Sequence, residues 1–204
     1  MDIKNYLFDF DGTLFDTQKL HAIVESELFA ENGISMPPEE ITAKYSGIKT
    51  EAFFAELLGD KKLAKNLIEK KWEKLIPLAP TAAPLADLQS LFSSLKNKGV
   101  LFGIGTASPS LWVEKILEIN NLTHYFSKGS IISGEMIEHG KPHPETWERL
   151  QRGVPSKNCL VIEDGVAGVL AAKAADMNYI VVGKTNDKFP QGTVFIPSVA
   201  HLIN

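Results

Sequence analysis

Asp9 and Asp11 stand one residue apart, follow a strand-like run from Ile3 to Phe8, and precede Gly12-Thr13. Two carboxylates at that spacing suit phosphoryl transfer. One can attack phosphorus while the other manages a proton, and both can help hold a divalent cation. Asp and Gly are also ordinary turn formers, so the segment taken alone reads as a capped turn as well. Three further polar stations favour the chemistry. Val100 to Gly105 is a buried-strand pattern ending in Thr106-Ala107-Ser108-Pro109. Gly140-Lys141-Pro142-His143-Pro144 comes next, and Cys159 to Ile162 runs straight into Glu163-Asp164-Gly165. In an open parallel α/β sheet, ligands bind outside the carboxyl ends of the strands. Asp9, Thr106 and the Glu163-Asp164 pair fall at such ends, and Lys141 lies in a loop able to reach the same rim.

The elements that must position these side chains alternate along the chain. Leu20, Ile23, Val24 and Leu28 recur at helical spacing between Thr17 and Asn32, with Gly33 as a C-terminal cap. Pro37-Pro38-Glu39-Glu40 reads as a helix start, and further helices are expected over 50–58 and 61–76. Pro77, Pro80 and Pro84 then punctuate a linker. Residues 16–80 thus form an almost wholly helical block inserted into a core made of 1–15 and 81–204. Beyond it, helices are expected over 85–98, 111–121, 145–152 and 166–175, with strands over 179–183 and 194–196. Ser108-Pro109 suits an N-cap followed by proline at the first helical position. Alternating β and α elements imply an α/β fold with a doubly wound parallel, Rossmann-like sheet.

A chain of 204 residues accommodates one such domain plus a modest insertion. Its formal charge of −4 gives no reason to expect nucleic-acid binding. An anionic substrate must therefore meet locally concentrated positive charge, for which Lys141 is a candidate. The single cysteine, Cys159, lies in an apolar run and is expected to be a buried core residue rather than a nucleophile. No secretory signal or transmembrane-length stretch is visible, so a cytoplasmic monomer without a membrane partner is the expectation.

Asp-x-Asp-Gly-Thr, a strand ending in Thr, a Lys-Pro and a late acidic pair, in that order, resemble the haloacid dehalogenase superfamily. The similarity is to its phosphatase branch with a helical cap after the first motif, and it spans about residues 3 to 183. The resemblance implies Mg2+ as cofactor and a small phosphorylated metabolite as partner, such as a sugar phosphate or a sugar-acid phosphate like 6-phosphogluconate. It implies Asp9 as the nucleophile that becomes an aspartyl phosphate, and Asp11 as general acid and base. Magnesium would be held by Asp9, Asp11 (whose backbone carbonyl is the family's ligand), Asp164 and Glu163, the last directly or through water. Haloacid dehalogenases themselves usually lack the second Asp, so Asp11 favours phosphoryl over carbon–halogen chemistry.

Thr106 offers a hydroxyl, and the amides that follow it, from Ala107 on, open a helix whose N-terminus favours an anion. Ser108 is either a substrate contact or that helix's N-cap. Ser46 to Thr50, with Gly47 and Lys49, resembles the family's substrate-specificity loop. His21 is a further candidate for substrate contact or for steering Asp11, set against an exposed helical histidine. Lys70 and Lys71 either face the cleft or solvate the fourth cap helix, and solvation is the expectation. The rival enzyme is a mutase resembling β-phosphoglucomutase, weakened because Lys49-Thr50 stand where that family usually carries an arginine. A receiver-like signalling domain would be shorter and capless, and a silent phosphate-binding protein would not need every catalytic position filled.

Overall fold

The computed structural model describes residues 2–183 and 187–203. In chain order its first half contains β1 (Asn5–Phe8), β2 (Phe15–Asp16), α1 (Gln18–Ala30), α2 (Pro38–Tyr45), α3 (Thr50–Leu58), α4 (Lys61–Leu75), β3 (Ala83–Pro84) and α5 (Leu88–Asn97). The second half contains β4 (Leu101–Gly105), α6 (Ser110–Ile119), β5 (Ile131–Ile132), α7 (Glu145–Leu150), β6 (Cys159–Glu163), α8 (Val166–Ala174), β7 (Asn178–Val182) and β8 (Phe195–Ile196).

Among the described residues six strands form one parallel sheet in the order β5-β4-β1-β6-β7-β8. Successive side chains of β1 serve opposite faces, as the pleat requires. Phe8 joins Leu91, Phe92 and Leu95 of α5 in one apolar cluster, whereas Leu7 joins Trp147, Leu150 and Ala171 in another. Helices therefore cover both faces, and the strands read as near-continuous apolar runs because neither face meets water. The α/β, doubly wound class expected from the sequence is the one observed. The strand order reverses at β1, which places its carboxyl end at the crevice where such sheets bind ligands.

The helices between β2 and β3 pack on one another around Phe29, Phe53 and Phe54, with Tyr45 stacked on Phe53 at 4.0 Å. Asp60 caps α4 by accepting from the Lys62 and Leu63 amides, which satisfies two donors the helix cannot. The two chain crossings into this block brace each other, because Phe15 pairs with Pro84 and Asp16 with Ala83 in a short antiparallel ladder. The stretch after α4 is a 3-10 turn over Ile76–Thr81 rather than an open linker. Its Pro77 falls in the first turn, where a missing amide costs least. Among the described residues, no helix is long and apolar enough to cross a membrane.

Candidate active site

Three strand ends and one loop converge as expected. Asp9 follows β1, Thr106 follows β4, and Glu163 ends β6, with Ile162 of β6 accepting the Asp9 amide at 2.9 Å. Lys141 arrives from the loop before α7 through a cis Lys141–Pro142 bond. Its ammonium is 2.6 Å from Asp9 Oδ1 and 2.6 Å from Glu163 Oε1, and donates to the Gly105 carbonyl at 3.1 Å. It also lies 4.4 Å above the Trp147 ring. All three charged side chains are buried. Burial works against a charged lysine, but Asp9 and Glu163 outweigh it and hold Lys141 above its ordinary range.

The acids outnumber this one cation. Burial and the Glu163 charge push Asp9 well above the usual carboxylate range despite Lys141. The same two causes push Asp164 up to about 7. Asp9, Glu163 and Asp164 each present an oxygen within 4.8 Å of the others. An all-oxygen set with more buried negative charge than its lysine balances fits a hard divalent cation. Glu163 is the least available of the three, since Oε1 meets Lys141 and Oε2 accepts the Asp164 and Gly165 amides at 3.0 and 2.9 Å. Asp164 accepts from Thr13 Oγ1 at 3.2 Å and lies against Gly12. Gly12 has a φ of +92°, and a Cβ there would overlap the Asp164 carboxylate, so the turn admits only glycine.

Asp11 points elsewhere, toward the helical block. Its Oδ1 accepts from Thr17 Oγ1 at 2.6 Å and from Trp112 Nε1 at 2.9 Å. Its Oδ2 accepts from Ser108 Oγ at 2.7 Å and Thr106 Oγ1 at 3.3 Å. His21 Nε2 approaches Oδ1 to 3.3 Å without hydrogen-bond geometry. Burial alone would raise this carboxyl, but His21, Ser108 and Thr17 outweigh it and hold Asp11 far below its ordinary range. Its backbone carbonyl accepts Gln18 Nε2 at 2.7 Å.

Ser108 is thus no helix cap. Pro109 occupies the N-cap position of α6, and the serine hydroxyl goes to Asp11. His21 is not an exposed helical residue either, because its ring stands edge-on between Trp72 and Trp112, 5.5 Å from each. Asp11, His21, Ala107 and Ser108 line one cavity of about 50 Å³ under the helical block. Gly47 and Lys49 do not line it, although their neighbours Ser46, Ile48 and Thr50 do. Lys49 instead packs on Gly140 and donates to the Ile137 carbonyl at 3.1 Å.

Lys71 overturns the expectation of a solvated side chain. It is 2% exposed, 2.7 Å from Glu25 Oε1, and it lines the same cavity, whereas Lys70 is exposed. Sequence reasoning also passed over Thr17, Gln18, Glu25 and Trp112. The signal for Glu25 and Lys71 was their place on the apolar stripes of α1 and α4, where a charge needs a partner.

A sheet that reverses at β1, with carboxylates and a buried lysine at its rim and helices inserted after the first motif, defines a class of α/β enzymes. The profile of the haloacid dehalogenase-like hydrolases matches residues 6–182. The chain belongs to that family and is a hydrolase of the haloacid dehalogenase-like type. Hexitol phosphatase B of Escherichia coli O157:H7 is 26% identical over 207 residues, covering 96% of this chain and 92% of that protein. (DL)-glycerol-3-phosphatase 2 of Arabidopsis thaliana is 29% identical, covering 88% and 79%. The crystal structure of β-phosphoglucomutase from Clostridium difficile superposes with a TM-score of 0.84 at 23% identity, covering 98% of this chain and 93% of that one, a likeness of fold.

Proposed function

We propose that this protein is a magnesium-dependent phosphatase that releases phosphate from a small monophosphorylated metabolite through a phosphorylated Asp9. Residues 16–80 act as its cap. The observation that carries the reading is the pair of unlike environments of Asp9 and Asp11. Asp9 is held by Lys141 through Oδ1 alone, and Oδ2 receives no hydrogen bond from the described residues. Asp11 sits in a separate nest of donors that favour its anion.

In the first step an Asp9 oxygen bonds to phosphorus as the bond to the leaving alcohol breaks, and Asp11 supplies the alcohol's proton. Asp11 carries that proton only after losing some of its present donors, of which Thr17, with the neighbouring His21, lies in the cap and would shift with it. In the second step water attacks the same phosphorus, Asp11 takes its proton, and Asp9 leaves as a carboxylate. Lys141 screens Asp9 from the incoming phosphate and steadies the equatorial oxygens. Asp9 and Asp164 would hold magnesium, with Glu163 fixing Lys141 and the 164–165 amides. The metal would supply further charge for those oxygens.

The relatives named hexitol phosphatase and glycerol-3-phosphatase support a sugar or polyol phosphate as substrate, and a sugar-acid phosphate shares the same hydroxyl-bearing chain. A mutase must also grip a second phosphate, and the Lys49 ammonium that stands in the expected loop is engaged by Ile137. Phosphate release from an aryl phosphate with magnesium, and none with EDTA, tests the reading. A metabolite screen then ranks substrates. An isomeric sugar phosphate as chief product, with a bisphosphate required, would replace phosphatase by mutase.

A further inference from the structure

The cavity beneath the helical block has two walls of different character. The core side presents Asp11, Ala107 and Ser108, and the block side presents Glu25 of α1, Thr50 of α3 and Lys71 of α4. Glu25 is 6% exposed and Lys71 2%. The Lys71 ammonium lies 2.7 Å from Glu25 Oε1, donates to Thr50 Oγ1 at 2.9 Å, and sits 4.7 Å over the Trp72 ring. A buried ion pair adds little to stability, and apolar residues of similar volume would serve a helix interface as well or better. Its position on the wall of a cavity that also contains Asp11 therefore points to a ligand.

The chemistry of that ligand follows from what the three side chains still offer. Lys71 has three protons, of which one is donated to Thr50 Oγ1, and its charge lies beside Glu25. Glu25 keeps a second oxygen to accept with, and the Thr50 hydroxyl, which accepts from Lys71, keeps its own proton to donate. Donors and acceptors mixed within a few ångströms match alcohol groups, each of which both donates and accepts. The charges match an uncharged group too. Among the residues lining this cavity Lys71 is the one lysine and there is no arginine, and Glu25 neutralises it. Asp11 on the opposite wall adds a further negative charge. A carboxylate or second phosphate brought here would lose its hydration and meet a lysine already engaged by Glu25, with nothing to repay the loss.

We infer that Glu25, Lys71 and Thr50 form the recognition site for the hydroxyls of an uncharged leaving group, that of a polyol or sugar monophosphate, and that Glu25 excludes substrates whose tail carries a second anion. The inference rests on the phosphatase reading above and removes sugar-acid phosphates and bisphosphates from its substrate range.

The test uses a matched pair, sorbitol 6-phosphate and 6-phosphogluconate, which differ by a terminal CH2OH against a carboxylate, with an aryl phosphate as a substrate lacking any polyol tail. The wild-type protein should favour the polyol by about tenfold or more in kcat/KM, as expected for like charges brought together. In Glu25→Gln, which frees Lys71 to attract an anion, that ratio should fall about tenfold or invert, chiefly through KM. Thermal unfolding checks that the variant is folded. If it is not, Thr50→Val removes a single hydroxyl and should lower the polyol-to-aryl ratio by about fivefold. A wild-type protein that accepts both members of the pair equally would overturn the inference. So would a folded Glu25→Gln protein with an unchanged ratio, or, should that variant not fold, a Thr50→Val protein with an unchanged polyol-to-aryl ratio. No phosphate from any of the three substrates would instead overturn the phosphatase reading, and this inference with it.

Discussion

Gly168 of α8 lies against the Glu163 carboxylate so closely that a Cβ at 168 would overlap it. The Gly168 carbonyl in turn accepts Trp147 Nε1 at 3.1 Å, and the Trp147 ring lies beneath Lys141. Alanine in a helix interior ordinarily stabilises by about 1 kcal/mol relative to glycine. Here the gain is opposed by an overpacking cost of about 1–3 kcal/mol and by displacement of Glu163 from Lys141. Gly168→Ala should therefore lower the unfolding midpoint and reduce turnover by about tenfold or more. A variant that is both more stable and fully active would show that the Glu163–Lys141 contact does not depend on this packing.

Asp9→Asn should abolish turnover with the fold retained, because the change keeps shape and removes the attacking anion. Lys141 keeps Glu163 as its partner in this variant, so the buried ammonium is not stranded. Mass spectrometry of the wild-type protein with substrate, or with beryllofluoride, should place the added group on Asp9. Turnover in the Asn variant without deamidation would remove Asp9 from the chemistry.

The stations of the site were legible because each sits where an apolar strand run stops, and strand ends are the part of a parallel sheet that sequence marks best. The loop carrying Lys141 was legible for a related reason, its flanking Gly140, Pro142 and Pro144 leaving little else for it to be. What was not legible depends on long-range partners. Lys71 reads as one of several lysines in α4, and only the packing of α1 on α4 reveals Glu25 beside it. Trp112 is a core residue, yet its indole N–H reaches Asp11 from a helix 101 residues further on. The strand Ile131–Ile132 was missed because two residues carry no period.

Cys159 is buried on β6, where its thiol donates toward the Val154 carbonyl at 3.8 Å. Burial raises its pKa above the ordinary thiol value, so the fold favours the neutral form. The stability this contributes is complete below the unfolded thiol's pKa and is lost as pH rises through the folded one. Denaturation midpoints should thus fall more steeply above about pH 9 in the wild type than in Cys159→Ala. At neutral pH that variant should cost about 1 kcal/mol through packing, with activity kept. A thiol reagent should react with the native protein far more slowly than with the unfolded chain. Rapid labelling that inactivates the folded protein would contradict the core assignment.

Lys49 and Thr50 adjoin in sequence but do different things, and their variants should separate. Thr50 lines the cavity beside Lys71, whereas Lys49 reaches across to the core, packing its Cβ 2.8 Å from where a Cβ on Gly140 would stand and bonding Ile137. The cavity beside Thr50 is about 50 Å³, space for a handful of waters, so a sugar-sized leaving group needs the walls to part. On the proposed function Lys49 would latch the closed form, worth about 1 kcal/mol as one hydrogen bond. Lys49→Ala should lower kcat/KM by about fivefold on aryl and polyol phosphates alike, since closure excludes water for every substrate. Thr50→Val should change the ratio between the two. Steady-state kinetics of both variants on both substrates decides the matter. If Lys49→Ala altered the substrate ranking and Thr50→Val slowed all substrates equally, the roles of latch and selector would be reversed.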